Sequence, residues 1–99
     1  MSYEIRYSFA AAEHQRGLTA RQRRLVLDAV ERHLRHEPLV ETRNRKQMRR
    51  NPVATWELRV GDLRVYYDVE ETPDPVVWVD AIGVKTGSRV MIGGKVVDL

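Results

Sequence analysis

The chain is predicted to fold as an α+β domain, with two N-terminal-half helices packed on a four-stranded antiparallel sheet in the order β-α-α-β-β-β. Three observations carry this. Residues 56–69 alternate apolar and polar on either side of Gly61-Asp62, the pattern of a β-hairpin with one wet face. Leu25, Val26, Ala29, Val30, His33 and Leu34 recur at three- and four-residue spacing, the stripe of an amphipathic helix. The helical patterns precede most of the strand patterns, and runs of one kind followed by the other favour segregated layers over alternating βα units.

Ninety-nine residues are enough for one domain, 1-99, with a modest core. Tyr3 to Phe9 reads as a strand, with Tyr3, Ile5 and Tyr7 on one face. Ala10 to Arg16 is a short helical stretch ended by Gly17. Thr19 is the expected N-cap of the longer helix, whose stripe should be buried and which Pro38 ends. Leu39 to Pro52 has no clean period and reads as a basic connecting loop with at most an irregular strand. Val76 to Ile82 is nearly all apolar, as expected of a central strand buried on both faces, with Gly83 as a break or bulge. The segments Arg89 to Ile92 and Lys95 to Asp98, joined by Gly93-Gly94, have the form of a small C-terminal hairpin.

The 17 Lys and Arg residues exceed the 14 Asp and Glu by three, and the excess is segregated. Residues 20–50 hold ten cations against four acids, and the remainder seven against ten. Such a balance suits nucleic acid or an acidic protein segment equally. With no cysteine, disulfides, thiolate zinc sites and cysteine nucleophiles are excluded. His14, His33 and His36 lack a carboxylate at metal-ligand spacing, so no metal site and no cofactor are expected. No serine stands in a nucleophile elbow, and no glycine-rich phosphate loop is present. No apolar run has the length of a signal peptide or a membrane span, so a soluble, cytoplasmic protein without membrane partners is expected.

A two-residue turn beginning with Gly61 suits type II′ and fixes the hairpin register: Val60 faces Leu63, Leu58 faces Val65, and Trp56 faces Tyr67. The same register sets Arg59 directly opposite Arg64 on the wet face, beside Glu57 and Tyr66. Like charges at directly opposed positions, roughly 5 Å apart at Cβ, repel. Two readings follow: the pair is kept to hold an anion, or both guanidinium groups splay into water. The run Arg43, Arg45, Lys46, Arg49 and Arg50 leads straight into this face, as a solvated loop or as an extension of one positive surface that Lys85 and Arg89 would join. Trp56 and Trp78 lie within apolar strand patterns and are expected in the core.

The stretch Trp-Glu-Leu-Arg-Val-Gly-Asp-Leu-Arg-Val-Tyr-Tyr-Asp-Val resembles the central hairpin of the RelE/ParE superfamily of type II toxin–antitoxin toxins. The resemblance extends to the opening strand, the helix pair, the basic loop and Ala-Ile-Gly-Val-Lys, so it spans essentially the whole chain. It implies a bacterial toxin neutralised by a cognate antitoxin in a hetero-oligomer, and its branches differ in target. The RelE branch implies a ribosome-associated mRNA endoribonuclease that cuts without a metal, using the message's own 2′-hydroxyl as nucleophile. The ParE branch implies a toxin of DNA gyrase without RNase activity, and a non-toxic fold relative is a third reading.

By this resemblance Arg64 matches the strand arginine that contacts the scissile phosphate, and Arg59 falls where a catalytic lysine stands. Glu57 replaces another lysine, Lys85 lies near a C-terminal arginine, and Met91 takes the rough place of an acid–base tyrosine. The implied catalytic set is Glu57, Arg59, Arg64 and Lys85, with Arg43, Arg45, Lys46, Arg49, Arg50 and Arg89 binding RNA phosphates. Glu57 would act either as general base or as a salt-bridge partner relieving the arginine repulsion.

Overall fold

The computed structural model describes residues 2–99. Its elements are β1 (Glu4–Tyr7), α1 (Phe9–Arg16), α2 (Ala20–Leu34), β2 (Arg45–Gln47), β3 (Trp56–Val60), β4 (Leu63–Glu70), β5 (Val76–Thr86), β6 (Arg89–Ile92) and β7 (Lys95–Val97). The α+β class and the two-helix layer agree with the sequence reading, but the sheet is larger: seven strands rather than four. Six run in the order β2-β3-β4-β5-β6-β7, and β1 lies beside β5. The β1–β5 pairing is parallel, so the sheet is mixed rather than wholly antiparallel. The extra strands are the hairpin β6–β7, where the sequence led one to expect a small C-terminal hairpin, and β2, three residues in which a period-2 pattern has little length to declare itself.

Both helices start on capping side chains. Ser8 Oγ accepts the Ala11 N–H at 3.0 Å. Thr19 and Gln22 form a reciprocal capping box, each side chain accepting the other's backbone N–H. Val26, Ala29, Val30 and Leu34 of α2 are buried as the stripe required, and His33 is half-buried. Leu25 departs from it, with 44% of its surface exposed. α2 ends at Leu34, four residues before Pro38, with Arg35 as its C-cap still in helical backbone geometry.

The main core lies between the helices and one face of the sheet, around Leu58, Val65, Tyr67, Val77, Val79 and Ile82. Each such side chain contributes roughly 1.5–3 kcal/mol through the apolar surface it removes from water. Trp56 stacks on Tyr67 with ring centroids 6.0 Å apart, and the Tyr67 hydroxyl donates to Pro38 O at 2.7 Å. Trp78 is not in this core. It projects to the opposite, outer face, where Arg6 lies 5.5 Å over its ring and its Nε1 donates to Glu70 at 2.6 Å.

The central strand β5 runs through Gly83 to Thr86 instead of breaking there. A Cβ on Gly83 would stand 2.8 Å from Val90 Cγ1 and 3.0 Å from Met91 O, so β6 packs on bare backbone. The irregularity falls earlier: Tyr66 pairs with Ala81 and Tyr67 with Val79, leaving Asp80 as an extra residue in a bulge. Along its other edge β5 serves two strands, β1 over residues 76–79 and β6 over 83–86. The residues between them are met by helix-layer side chains. Ser8 Oγ donates to Asp80 O at 3.0 Å, and His14 Nδ1 accepts the Ile82 N–H at 3.1 Å.

Candidate functional site

The β3–β4 hairpin has the register predicted from its turn, pair for pair. Gly61 adopts φ +58° and no non-glycine residue has positive φ among the described residues, as a type II′ turn requires. The turn is fastened to β5, because Lys85 N–H donates to Asp62 O at 2.7 Å. Glu57, Arg59, Arg64 and Lys85 therefore share the outer face, away from the helices.

These four residues line one cleft of about 370 Å³, with Lys46, Gln47 and Arg49 on one side. Ser88, Val90, Val97, Asp98 and Leu99 close the other. Beneath it lies a small second apolar cluster of Ala54, Tyr66 and Ala81, packed by Met48, Val53, Val90, Ile92 and Leu99. The cleft thus gathers five cations against the carboxylates of Glu57 and Asp98. A pocket with this excess, walled partly by apolar groups that thin the water, favours an anion with several oxygen acceptors.

The opposed arginines do not splay together into water. Arg59 Nε donates to Glu57 Oε1 at 2.7 Å, with Glu57 nine-tenths buried and the Arg59 side chain half exposed. Arg64 turns back on its own hairpin, its Nη1 donating to Gly61 O at 2.6 Å and Leu63 O at 2.9 Å. Only 8% of Arg64 is exposed, so a residue expected on the wet face is part of the floor. Each arginine keeps other N–H donors, and these are what the cleft can offer to a ligand.

The basic run divides. Lys46 and Arg49 reach the cleft, whereas Arg43 and Arg50 are exposed outside its lining. Arg45 goes the other way. Paired with Leu58 in register, it points to the helix side and is 8% exposed, with Nε on Val40 O at 2.8 Å and Nη1 on His33 O at 2.7 Å. It closes the C-terminal end of α2, where carbonyls lack helical partners, and is a structural residue rather than an RNA contact. Arg89 is exposed and lies outside the lining; it alternates with Val90, which does line the cleft.

Met91 lines a different cleft of about 480 Å³, between α1 and β6, with His14, Leu18, Ile82 and Val84. Burial there holds the His14 imidazole below its ordinary pKa. His33 is lowered too, by burial and then by Arg32 and Arg45. His36 is exposed beyond the end of α2.

Comparison with known protein families, curated proteins and solved structures returns no match.

Two groups on the outer face were given no role from sequence. Asp68 and Asp80 come together because the bulge turns Asp80 toward its neighbour. Burial, then the hydrogen bond and charge of Asp68, push Asp80 up to about 8. Burial works to raise Asp68 as well, but the hydrogen bonds from Asp80 and Thr55 outweigh it and leave Asp68 lowered. The second group is Tyr66, fully buried under the cleft and directly opposite Glu57. The register that reveals the opposed arginines also reveals this pair, so the signal was present in the hairpin alternation.

Proposed function

We propose that the protein is a type II toxin of the RelE/ParE kind, acting in the cytoplasm as a ribosome-associated mRNA endoribonuclease with a divergent site. The single observation that supports this reading is the convergence of Glu57, Arg59, Arg64 and Lys85 on one cleft. The resemblance of the hairpin and of the chain's element order to that superfamily points the same way.

Glu57 takes the proton of an RNA 2′-hydroxyl, and the resulting oxygen attacks the adjacent phosphorus. Arg59, Arg64 and Lys85 stabilise the charge on the pentacovalent phosphate. The 5′-oxygen leaves with a proton from Lys85 or water, giving a 2′,3′-cyclic phosphate and a free 5′-hydroxyl. Lys46 and Arg49 hold neighbouring phosphates. A cognate antitoxin supplying acidic side chains to this positive surface would neutralise it. Where the resemblance leads one to expect a tyrosine, Met91 faces the other cleft, so an acid from that position plays no part in this chemistry.

Expression in growing bacteria tests the reading. Arrest of translation with messages cut inside codons supports it. Induction of the DNA-damage response with intact messages points to gyrase instead, and unimpeded growth overturns toxicity altogether.

A further inference from the structure

The Tyr66 hydroxyl is fully buried and has no hydrogen-bond partner among the described residues. Burial, then the charge and close approach of the Glu57 carboxylate, raise it well above an ordinary tyrosine, yet that approach falls outside hydrogen-bonding geometry. A buried donor left without an acceptor is unfavourable, so its persistence calls for an explanation. The neighbour supplies one. Glu57 is nine-tenths buried, and Arg59 is its one hydrogen-bond donor among the described residues. That arginine is also half exposed and lines the cleft, so it can turn toward an anion entering there.

We infer that Tyr66 is a positioning residue: when a phosphate in the cleft draws Arg59 away, the Tyr66 hydroxyl becomes the hydrogen-bond donor that holds Glu57. A buried carboxylate stripped of its partner is strongly disfavoured, and a donor waiting across the strand pair removes that penalty. The exchange leaves Glu57 ionised, fixed and free of Arg59. This rests on the reading of Glu57 as the base, but the pairing itself requires no RNA chemistry.

The full chain is therefore tested without RNA, by melting Tyr66→Phe, Arg59→Met and the double variant. Tyr66→Phe alone should leave Tm unchanged or slightly raised, because it deletes an unpartnered hydroxyl. In the Arg59→Met background the same change should lower Tm by about 4–8 °C, since Tyr66 is then the sole partner of Glu57. Equal effects of Tyr66→Phe in both backgrounds, of either sign or none, overturn the inference. Titration with inorganic phosphate adds a spectroscopic readout. The wild type should show a red-shifted tyrosine ultraviolet difference spectrum that Tyr66→Phe lacks. Identical spectra, or no phosphate-induced signal in the wild type, overturn the exchange. A positive cycle in a protein that leaves messages intact would keep the inference and discard the nuclease, so the two failures are separable.

Discussion

His14 and Ile82 are joined across 68 residues of sequence by a hydrogen bond from the Ile82 N–H to the imidazole Nδ1, at 3.1 Å. It fills the stretch of β5 edge that neither β1 nor β6 covers. The bond requires Nδ1 to be unprotonated, which puts the ring proton on Nε2. Burial lowers the His14 pKa, so in acid the unfolded chain takes up a proton near pH 6.5 while the folded chain still resists. The unfolded state then binds more protons, and stability falls as pH falls below about 6.5. His14→Ala should cost about 1 kcal/mol at pH 7.5 and flatten this acid limb, as read by denaturant unfolding across pH.

Asp80 has the opposite sign. Its folded pKa of about 8 lies above the unfolded value near 4, so the folded state holds the extra proton between them. Its contribution is fully present at low pH and is lost as pH rises through about 8. Asp80→Asn keeps a donor for Asp68 without the titration. The variant should be more stable than the wild type by roughly 1–3 kcal/mol at pH 9, with little difference at pH 5. Denaturant melts at the two pH values check this.

If the protein binds RNA as proposed, Arg45 and Arg49 separate structure from binding within one basic run. Arg45→Ala leaves the His33 and Val40 carbonyls without their donor and should destabilise by roughly 1–3 kcal/mol. Arg49→Ala, at an exposed position, should leave Tm within a degree or two. RNA affinity should respond in the reverse order: weaker for Arg49→Ala, with a shallower salt dependence, and unchanged for folded Arg45→Ala. Fluorescence anisotropy with a labelled oligoribonucleotide at several salt concentrations measures both.

Arg64→Ala should reduce message cleavage by about 100- to 1,000-fold, the usual cost of one donor to a developing oxyanion. It should also destabilise by about 1 kcal/mol, because the side chain fastens its own turn through Gly61 O and Leu63 O. Arg64→Lys restores charge but not the planar fork and should recover only part of the rate. Cleavage of a reporter message in cell-free translation, with unfolding in parallel, distinguishes rate from fold.

The sequence made the hairpin legible down to its register, because a Gly-first turn and strict alternation leave one way to pair Trp56–Val60 with Leu63–Glu70. The site followed from the register: Glu57, Arg59 and Arg64 had to share a face, and Lys85 joins them through the turn. β2 was hidden because its three residues are Arg, Lys and Gln, so polarity does not alternate even though direction does. For the same reason Arg45 looked like its neighbours, when depth alone distinguishes it. The bulge at Asp80 depends on how β4 and β5 twist past each other, which residue types along 76–86 do not encode locally. Leu25 shows the limit of helical periodicity: a stripe names a side, while its margin is set by how closely the sheet approaches.

The parallel seat of β1 beside β5 constrains the order in which the chain can assemble. Glu4–Tyr7 must wait for Val76–Val79, about seventy residues downstream, before its backbone groups find partners. Loop-closure entropy makes such a contact slow to form, while the β3–β4 hairpin and α2 need only neighbours in sequence. Glu4–Tyr7 is thus among the last segments to dock. The register that sets the hairpin arginines opposite each other is local, whereas closure of the fold by β1 is not.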